Sequence, residues 1–471
     1  MMTRTLALCL IASLLTACSG AVTRATPPLV QGSLQALREM PPPAPSTRFK
    51  YVIVIVQENR SFDNMFYGFP GANYATTGMG HGKVYTMQPI SLKWTFVLNH
   101  SHSQFLEDYD YGKMDGFNDM IQGWVHHCPD YRNHPACWSF YTQKDIQQMA
   151  YSYVKQSDIQ PYWAMAQDYA LGDNTFTSNS GPTFPAHQYY IAGQSDHASE
   201  VPAENPWGCD GPSNNTVVKL EYGYPQPPHP FSKATGHEVN GPHPCFEYKT
   251  IADLLDAKGV SWRYYVAKPI DSSLNGFDAV KAVRYGPDWN NITENTNFFD
   301  DVKNGNLAHV SWVTPMPADS DHPGGISGNG GPDWVASIVN TVGESKYWDN
   351  CAIFVMWDDW GGWYDHVKPP QYPDPQTGAY EGLGFRTPLI VISPFVKTHY
   401  VSHAQHEVVS SMAFIEKVFG LGTLGLADAR ADAFDDLFNL SHQPAPFQKI
   451  PTQRDAHYFV THQTSGIVDE Q

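Results

Sequence analysis

Several stretches of this 471-residue chain carry side chains able to do chemistry. Glu58-Asn59 stands directly after one apolar run, and Asp358-Asp359 stands directly after another. Thr183 opens a helical stretch behind Gly181-Pro182. His100, His322 and His366 lie in polar segments. Carboxylates beside an amide oxygen are the hard donors that a divalent cation takes. A hydroxyl at a helix start meets unpaired N–H groups and the positive end of the helix dipole, which favour a phosphoryl group. Coordination to a metal lowers the pKa of that hydroxyl and makes it a nucleophile. The histidines can contact anionic oxygens or protonate a leaving group. Each position has a plainer alternative. Ser61 or Asp63 can simply cap a helix, Thr183 can be an N-cap and nothing more, and histidines are commonly packing or surface residues.

Such chemistry needs elements that bring together residues about three hundred positions apart. Val52 to Val56 is an unbroken β-branched run, which reads as a strand buried on both faces. Ala352 to Met356 and Leu389 to Ile392 read the same way, as do shorter strands over 260–266 and 309–313. Between them, helices are expected near 145–155, 160–170, 250–258, 332–345 and 407–419, with another from Thr183 onward. Repeated strand–loop–helix units predict an α/β three-layer sandwich, with a mostly parallel central sheet and helices on both faces. In a parallel sheet the strand C-termini share one edge, so Glu58 and Asp358-Asp359 converge there. Thr183 is expected at the N-cap, with Pro185 in the first turn.

Composition narrows the partners. Lys and Arg number 29 against 47 Asp and Glu, a net charge of −18. Nucleic-acid binding rewards basic patches, so no nucleic-acid partner is expected. The first residues predict export. Arg4 precedes an apolar run from Leu6 to Leu15, and Leu15-Thr16-Ala17-Cys18 follows as a lipoprotein-type cleavage site with Cys18 lipidated. This makes 1–18 a signal peptide and 19–47 a Pro-rich tether. The catalytic domain is expected over 48–445, with a Pro/Gly-rich insertion at about 200–247 and a tail over 446–471. The protein would then be lipid-anchored to the bacterial envelope or secreted. Cysteine spacing suggests Cys128–Cys137 and Cys209–Cys245 disulfides, with Cys351 a buried thiol.

Taken together, these residues resemble the bacterial phosphoesterase family of phospholipases C and related acid phosphatases. Glu58-Asn59-Arg60-Ser61-Phe62-Asp63 matches its ENRSFD signature. The resemblance continues through His100, Gly112-Lys113-Met114-Asp115-Gly116-Phe117, Gly181-Pro182-Thr183-Phe184-Pro185 and His322-Pro323-Gly324. Asp358-Asp359 with Gly361-Gly362, Asp365-His366-Val367 and Ser393-Pro394-Phe395 complete it. It implies an alkaline-phosphatase-like fold. It also implies Glu58, Asn59, Asp358 and Asp359 as metal ligands, Thr183 as nucleophile and further ligand, and His100 and His322 as phosphate contacts. His102 rivals His100, and only spacing to Met114 favours the latter. Many members carry Asp-Glu where this chain has Asp358-Asp359, and Asn where it has Ala186. The implied activity is metal-dependent phosphoric ester hydrolysis, with calcium, magnesium, manganese, iron or zinc as the ion. Phospholipase C-type cleavage through a phospho-threonine leads. A broad-specificity acid phosphatase is the alternative, and a non-enzymatic surface binding protein comes last.

Overall fold

Tyr51–Gln57 is a strand because its β-branched residues fill a pleated surface on both faces, and Val52 to Val56 are all buried. The computed structural model describes residues 48–93, 97–119, 148–221, 237–270, 273–323, 330–373 and 380–462. Eight strands make the main sheet: β1 (Tyr51–Gln57), β2 (Ala170–Gly172), β3 (Trp262–Val266), β4 (Ile292–Glu294), β5 (Val310–Val313), β6 (Cys351–Trp357), β7 (Leu389–Ile392) and β8 (Tyr400–Ser402). Their spatial order is β4-β3-β5-β1-β6-β7-β2-β8. β1 sits inside, hydrogen-bonded in parallel to β5 on one side and β6 on the other. β7 alone runs against its neighbours, antiparallel to both β6 and β2. The sheet is therefore mixed and mostly parallel. An apolar run such as Leu389 to Ile392 reports burial but not direction.

Helices lie on both faces. Side chains along a strand alternate, and on β6 Phe354 meets Phe414 at 4.9 Å while Trp357 meets Tyr162 at 5.1 Å. Phe414 belongs to Ser410–Phe419, which packs with Thr183–Ala192, itself in contact with Ile251–Ala257. Tyr162 belongs to Gln160–Asp168, which packs with Gly331–Gly343 and, through it, Asn297–Asn304.

Two local expectations need correction. Of the helix expected over 145–155, residues 148 and 149 are helical, but Ser152–Val154 is a strand paired in parallel with Gln88–Ile90. Tyr153 stacks on Tyr67 at 3.9 Å and Tyr151 on Tyr85 at 4.5 Å, and aromatic packing of this kind favours a pleated surface. Residues 145–147 lie outside the described residues. Thr183 is the first helical residue and Pro182 takes the N-cap, in extended conformation with no side-chain cap bond. The Thr183 hydroxyl is thereby released from capping.

The insertion carries a hairpin, Val218–Glu221 with His237–Asn240, and the Cys209–Cys245 disulfide. Its Trp207, Val217 and Phe246 bury Phe184, the residue after Thr183, in a small apolar cluster. Cys351 is a buried free thiol, while Cys128 and Cys137 lie outside the described residues. The segment after 445 packs back onto the body. Ile450 exchanges two hydrogen bonds with the Asn340 side chain, and Phe459 meets Trp334 at 5.2 Å.

Candidate active site

The register of β1 against β6 sets Gln57 beside Trp357, and the Asp358 N–H donates to the Gln57 carbonyl at 3.0 Å. Both chains leave the sheet here, so Glu58-Asn59 and Asp358-Asp359 emerge side by side. Asn59 turns at once, with φ at +58°, in the left-handed region that Asn tolerates better than most residues. Gly361, at φ +62°, lies against the Asn59 backbone on the facing turn, where a side chain would collide.

The turn locks the asparagine amide. Its Nδ2 donates both hydrogens, one to Asp359 Oδ2 at 3.0 Å and one to His100 Nε2 at 3.0 Å. His100 is held by its other nitrogen, which donates to the Leu98 carbonyl at 2.8 Å. The Asn59 Oδ1 is left buried without a hydrogen-bond partner, and so is Asp358 Oδ2. Asp358 Oδ1 already accepts the N–H groups of Asn59 and Asp359, at 3.0 and 2.8 Å. Asp359 Oδ1 accepts from the Gly361 N–H at 2.7 Å, and the Thr183 hydroxyl points at Asp359 Oδ2 from 3.5 Å. Burial pushes the Asp359 carboxyl up to about 7. Burial and then the neighbouring Asp359 push Asp358 up to about 8. Two buried carboxyl groups, an amide oxygen with no donor and a hydroxyl make a set that a hard divalent cation would satisfy. The residues present fit such an ion.

The remaining expected residues divide. Glu58 accepts from the Ser320 hydroxyl, whose oxygen also takes the His322 N–H at 2.8 Å. Glu58 thus connects β1 to the loop after β5. The rings of His322 and His100 stand 5.9 Å apart, so His322 lies beside the histidine that holds the Asn59 amide. His102 faces elsewhere. Its Nδ1 contacts the Ser180 hydroxyl at 3.0 Å, and its N–H donates to Glu200 at 2.8 Å. His366 sits in a buried ion network. It is 2.7 Å from Asp63, which shares the Arg386 guanidinium with Asp365. That network fastens the ENRSFD turn to the Asp365 loop. Ser61 does cap a short helix, accepting from the Asn64 N–H at 3.2 Å, so its plainer alternative is realised.

One residue escaped sequence reasoning. His187 is buried one turn beyond Thr183, with Nε2 3.8 Å from Asp358 Oδ2. Burial holds its imidazole down at about 3, so it is neutral. The available signal was helical spacing, since residues four apart share a helix face.

Residues 49–422 match the Phosphoesterase family. The chain is 26% identical over 421 residues to the non-hemolytic phospholipase C of Burkholderia pseudomallei (strain K96243), covering 79% of this chain and 55% of that protein. It is 24% identical over 449 residues to phospholipase C A of Mycobacterium tuberculosis (strain ATCC 25618 / H37Rv), covering 86% and 80%. The chain thus spans little more than half the length of the first relative. A solved protein of the alkaline phosphatase superfamily from Vibrio parahaemolyticus aligns over 84% of this chain and 71% of its own, at 10% identity and a TM-score of 0.36, too distant to argue from. With a match running from the first strand through the helix that follows the last, the chain belongs to the phosphoesterase family.

Proposed function

We propose that this phosphoric ester hydrolase cleaves phospholipid phosphodiesters in the manner of a phospholipase C, with Thr183 as nucleophile. The observation that carries the reading is the Asn59 amide, whose two N–H bonds are committed while its buried oxygen is left without a donor. Asn59, Asp358, Asp359 and Thr183 would hold a divalent cation, with Glu58 beside them. When bound, that ion supplies positive charge that favours the Thr183 alkoxide and the charge developing on the phosphoryl oxygens.

The chain's own residues do the rest. Asp359 Oδ2 orients the Thr183 hydroxyl, leaving its lone pairs for phosphorus. Thr183 Oγ1 forms a bond to phosphorus, its proton passing to Asp359 Oδ2, as the bond to the diacylglycerol oxygen breaks. The leaving oxygen takes a proton from a histidine in its imidazolium form, a role assigned to His322, whose ring stands 5.9 Å from that of His100. Water then attacks phosphorus and returns a proton to His322, the Thr183 bond breaks as Oγ1 takes its proton back from Asp359, and the phosphorylated head group leaves. His100, accepting from Asn59 Nδ2, holds the amide rather than delivering a proton.

The same reading has the protein exported and held to the envelope by lipid on Cys18, supported by Arg4, the apolar run and Leu15-Thr16-Ala17-Cys18. Phosphatidylcholine vesicles, bis(p-nitrophenyl) phosphate and p-nitrophenyl phosphate, each assayed before chelation, after chelation and after return of metal, test the function. Release of phosphocholine that stops on chelation supports it. Turnover of the monoester alone contradicts the phospholipase reading, and full activity in metal-free protein contradicts the cation.

A further inference from the structure

His187 stands at the edge of the cluster with no role in the steps above. It is 1% exposed, one helical turn from Thr183 and on the same face. Its tautomer follows from its neighbours. The Tyr264 hydroxyl donates its one hydrogen to the Leu274 carbonyl at 2.6 Å, so the 3.2 Å contact between Tyr264 and His187 Nδ1 has the imidazole N–H as donor. The lone pair is therefore on Nε2. That atom has no hydrogen-bond partner, and it faces Asp358 Oδ2, which has none either, across 3.8 Å. Both backbone N–H groups near Asp358 are spent on its other oxygen. With Asp358 ionised, two buried lone pairs face each other, and a cation held between them would relieve that repulsion.

We propose that His187 Nε2 is a nitrogen ligand of the cation site, sharing one ion with Asp358 Oδ2. Two donors that each lie about 2.1 Å from one ion can be at most about 4.2 Å apart, so this pair can clasp a single cation. The consequence is selectivity. A set of oxygens alone suits calcium or magnesium, and an imidazole added to it favours manganese, iron, cobalt or zinc. The inference rests on the cation reading of the Asn59–Asp358–Asp359 cluster and adds a ligand and a metal class to it.

The test uses the full chain stripped of metal and loaded with Mn2+. Electron spin-echo spectroscopy reads nitrogen coupling to the ion, and calorimetry reads Mn2+ and Ca2+ affinity, in wild type, His187→Ala, His187→Gln and Asp359→Asn. The expected result is one bound Mn2+ whose nitrogen coupling disappears in both His187 variants. Their Mn2+ affinity should fall about 10- to 100-fold, with Ca2+ affinity kept within about threefold. Bound Mn2+ without nitrogen coupling in wild type, or coupling that survives in a folded His187 variant, overturns the inference while leaving the cation reading standing. Failure of wild type to bind more Mn2+ than Asp359→Asn overturns both. Should neither His187 variant fold, His100→Ala must retain the coupling, and its loss there overturns the assignment.

Discussion

Replacing Gly361 with alanine should disable the site by moving Asn59. Gly361 is at φ +62°, and a Cβ built there falls 2.2 Å from the Asn59 carbonyl oxygen and 2.7 Å from its carbon. Real Cβ contacts stop near 3.0 Å, so the two turns must part by 0.8 Å at least, and the atom in the way is backbone. Two effects add. A left-handed alanine costs roughly 1–2 kcal/mol, and a displacement near 1 Å at a reacting site can cost about 100-fold in rate. Gly259 separates them. It has φ +66° and nothing within 4 Å of a built Cβ, so Gly259→Ala carries the backbone strain without the collision. Both variants should unfold at lower temperature than wild type. Gly259→Ala should keep kcat/KM within about twofold, whereas Gly361→Ala should lose about 100-fold, equal to about 2.7 kcal/mol of barrier. Initial rates on a phosphodiester and thermal unfolding of the three proteins provide the comparison. Gly361→Ala with wild-type kcat/KM, or with a loss matched by Gly259→Ala, refutes the claim that this contact positions the site.

Removing the Cys209–Cys245 disulfide by double Ser replacement opens a link across 36 residues and should cost about 3–4 kcal/mol in the chain-entropy picture. Denaturant unfolding should show this loss, and an unchanged midpoint would contradict it. His406 is clamped between Asp432 at 2.9 Å and Asp436 at 3.3 Å. Burial alone would lower its pKa, but the bonds to the two aspartates outweigh this and lift it to about 9. Its stabilisation is therefore complete below about 6.5, the unfolded value, and fades as pH rises through the folded value near 9. His406→Gln should flatten the fall in melting temperature between these limits, and an equal fall in both proteins would count against the clamp. On the proposed lipid anchor, Cys18→Ala should move the protein from the membrane fraction to the soluble fraction, with mass spectrometry of the wild type showing lipid on Cys18.

Much of this site could be read from the chain because its main devices are local. A β-branched run ending in Glu58-Asn59 and another ending in Asp358-Asp359 gave two buried strands, and parallel pairing then brought their ends together. Thr183 was visible from the helix start behind Gly181-Pro182. What stayed hidden depends on contacts that no segment contains. The direction of Leu389–Ile392 is set by its neighbours β6 and β2. The bond from the Asn59 amide to His100, and that of His102 to Ser180 instead, appear only once the chain is folded. Ser152–Val154 follows its tyrosine stacking partners rather than helical propensity. His187 was passed over because a histidine inside an apolar helix looks like core until Asp358 is seen facing it.

The central claim is that the Thr183 hydroxyl attacks phosphorus from the Asn59–Asp358–Asp359 cluster. Rapid acid quench during turnover of a slow phosphodiester, followed by peptide mass spectrometry, tests it most directly. The substrate's phosphoryl group with its remaining ester (phosphocholine from phosphatidylcholine, p-nitrophenyl phosphate from the bis-ester) should be found on Thr183 itself, absent from Thr183→Ala, which should fold and be inactive, and present at a lower level on serine in a partly active Thr183→Ser. Wild-type turnover by a folded Thr183→Ala would contradict the account and place the nucleophile elsewhere.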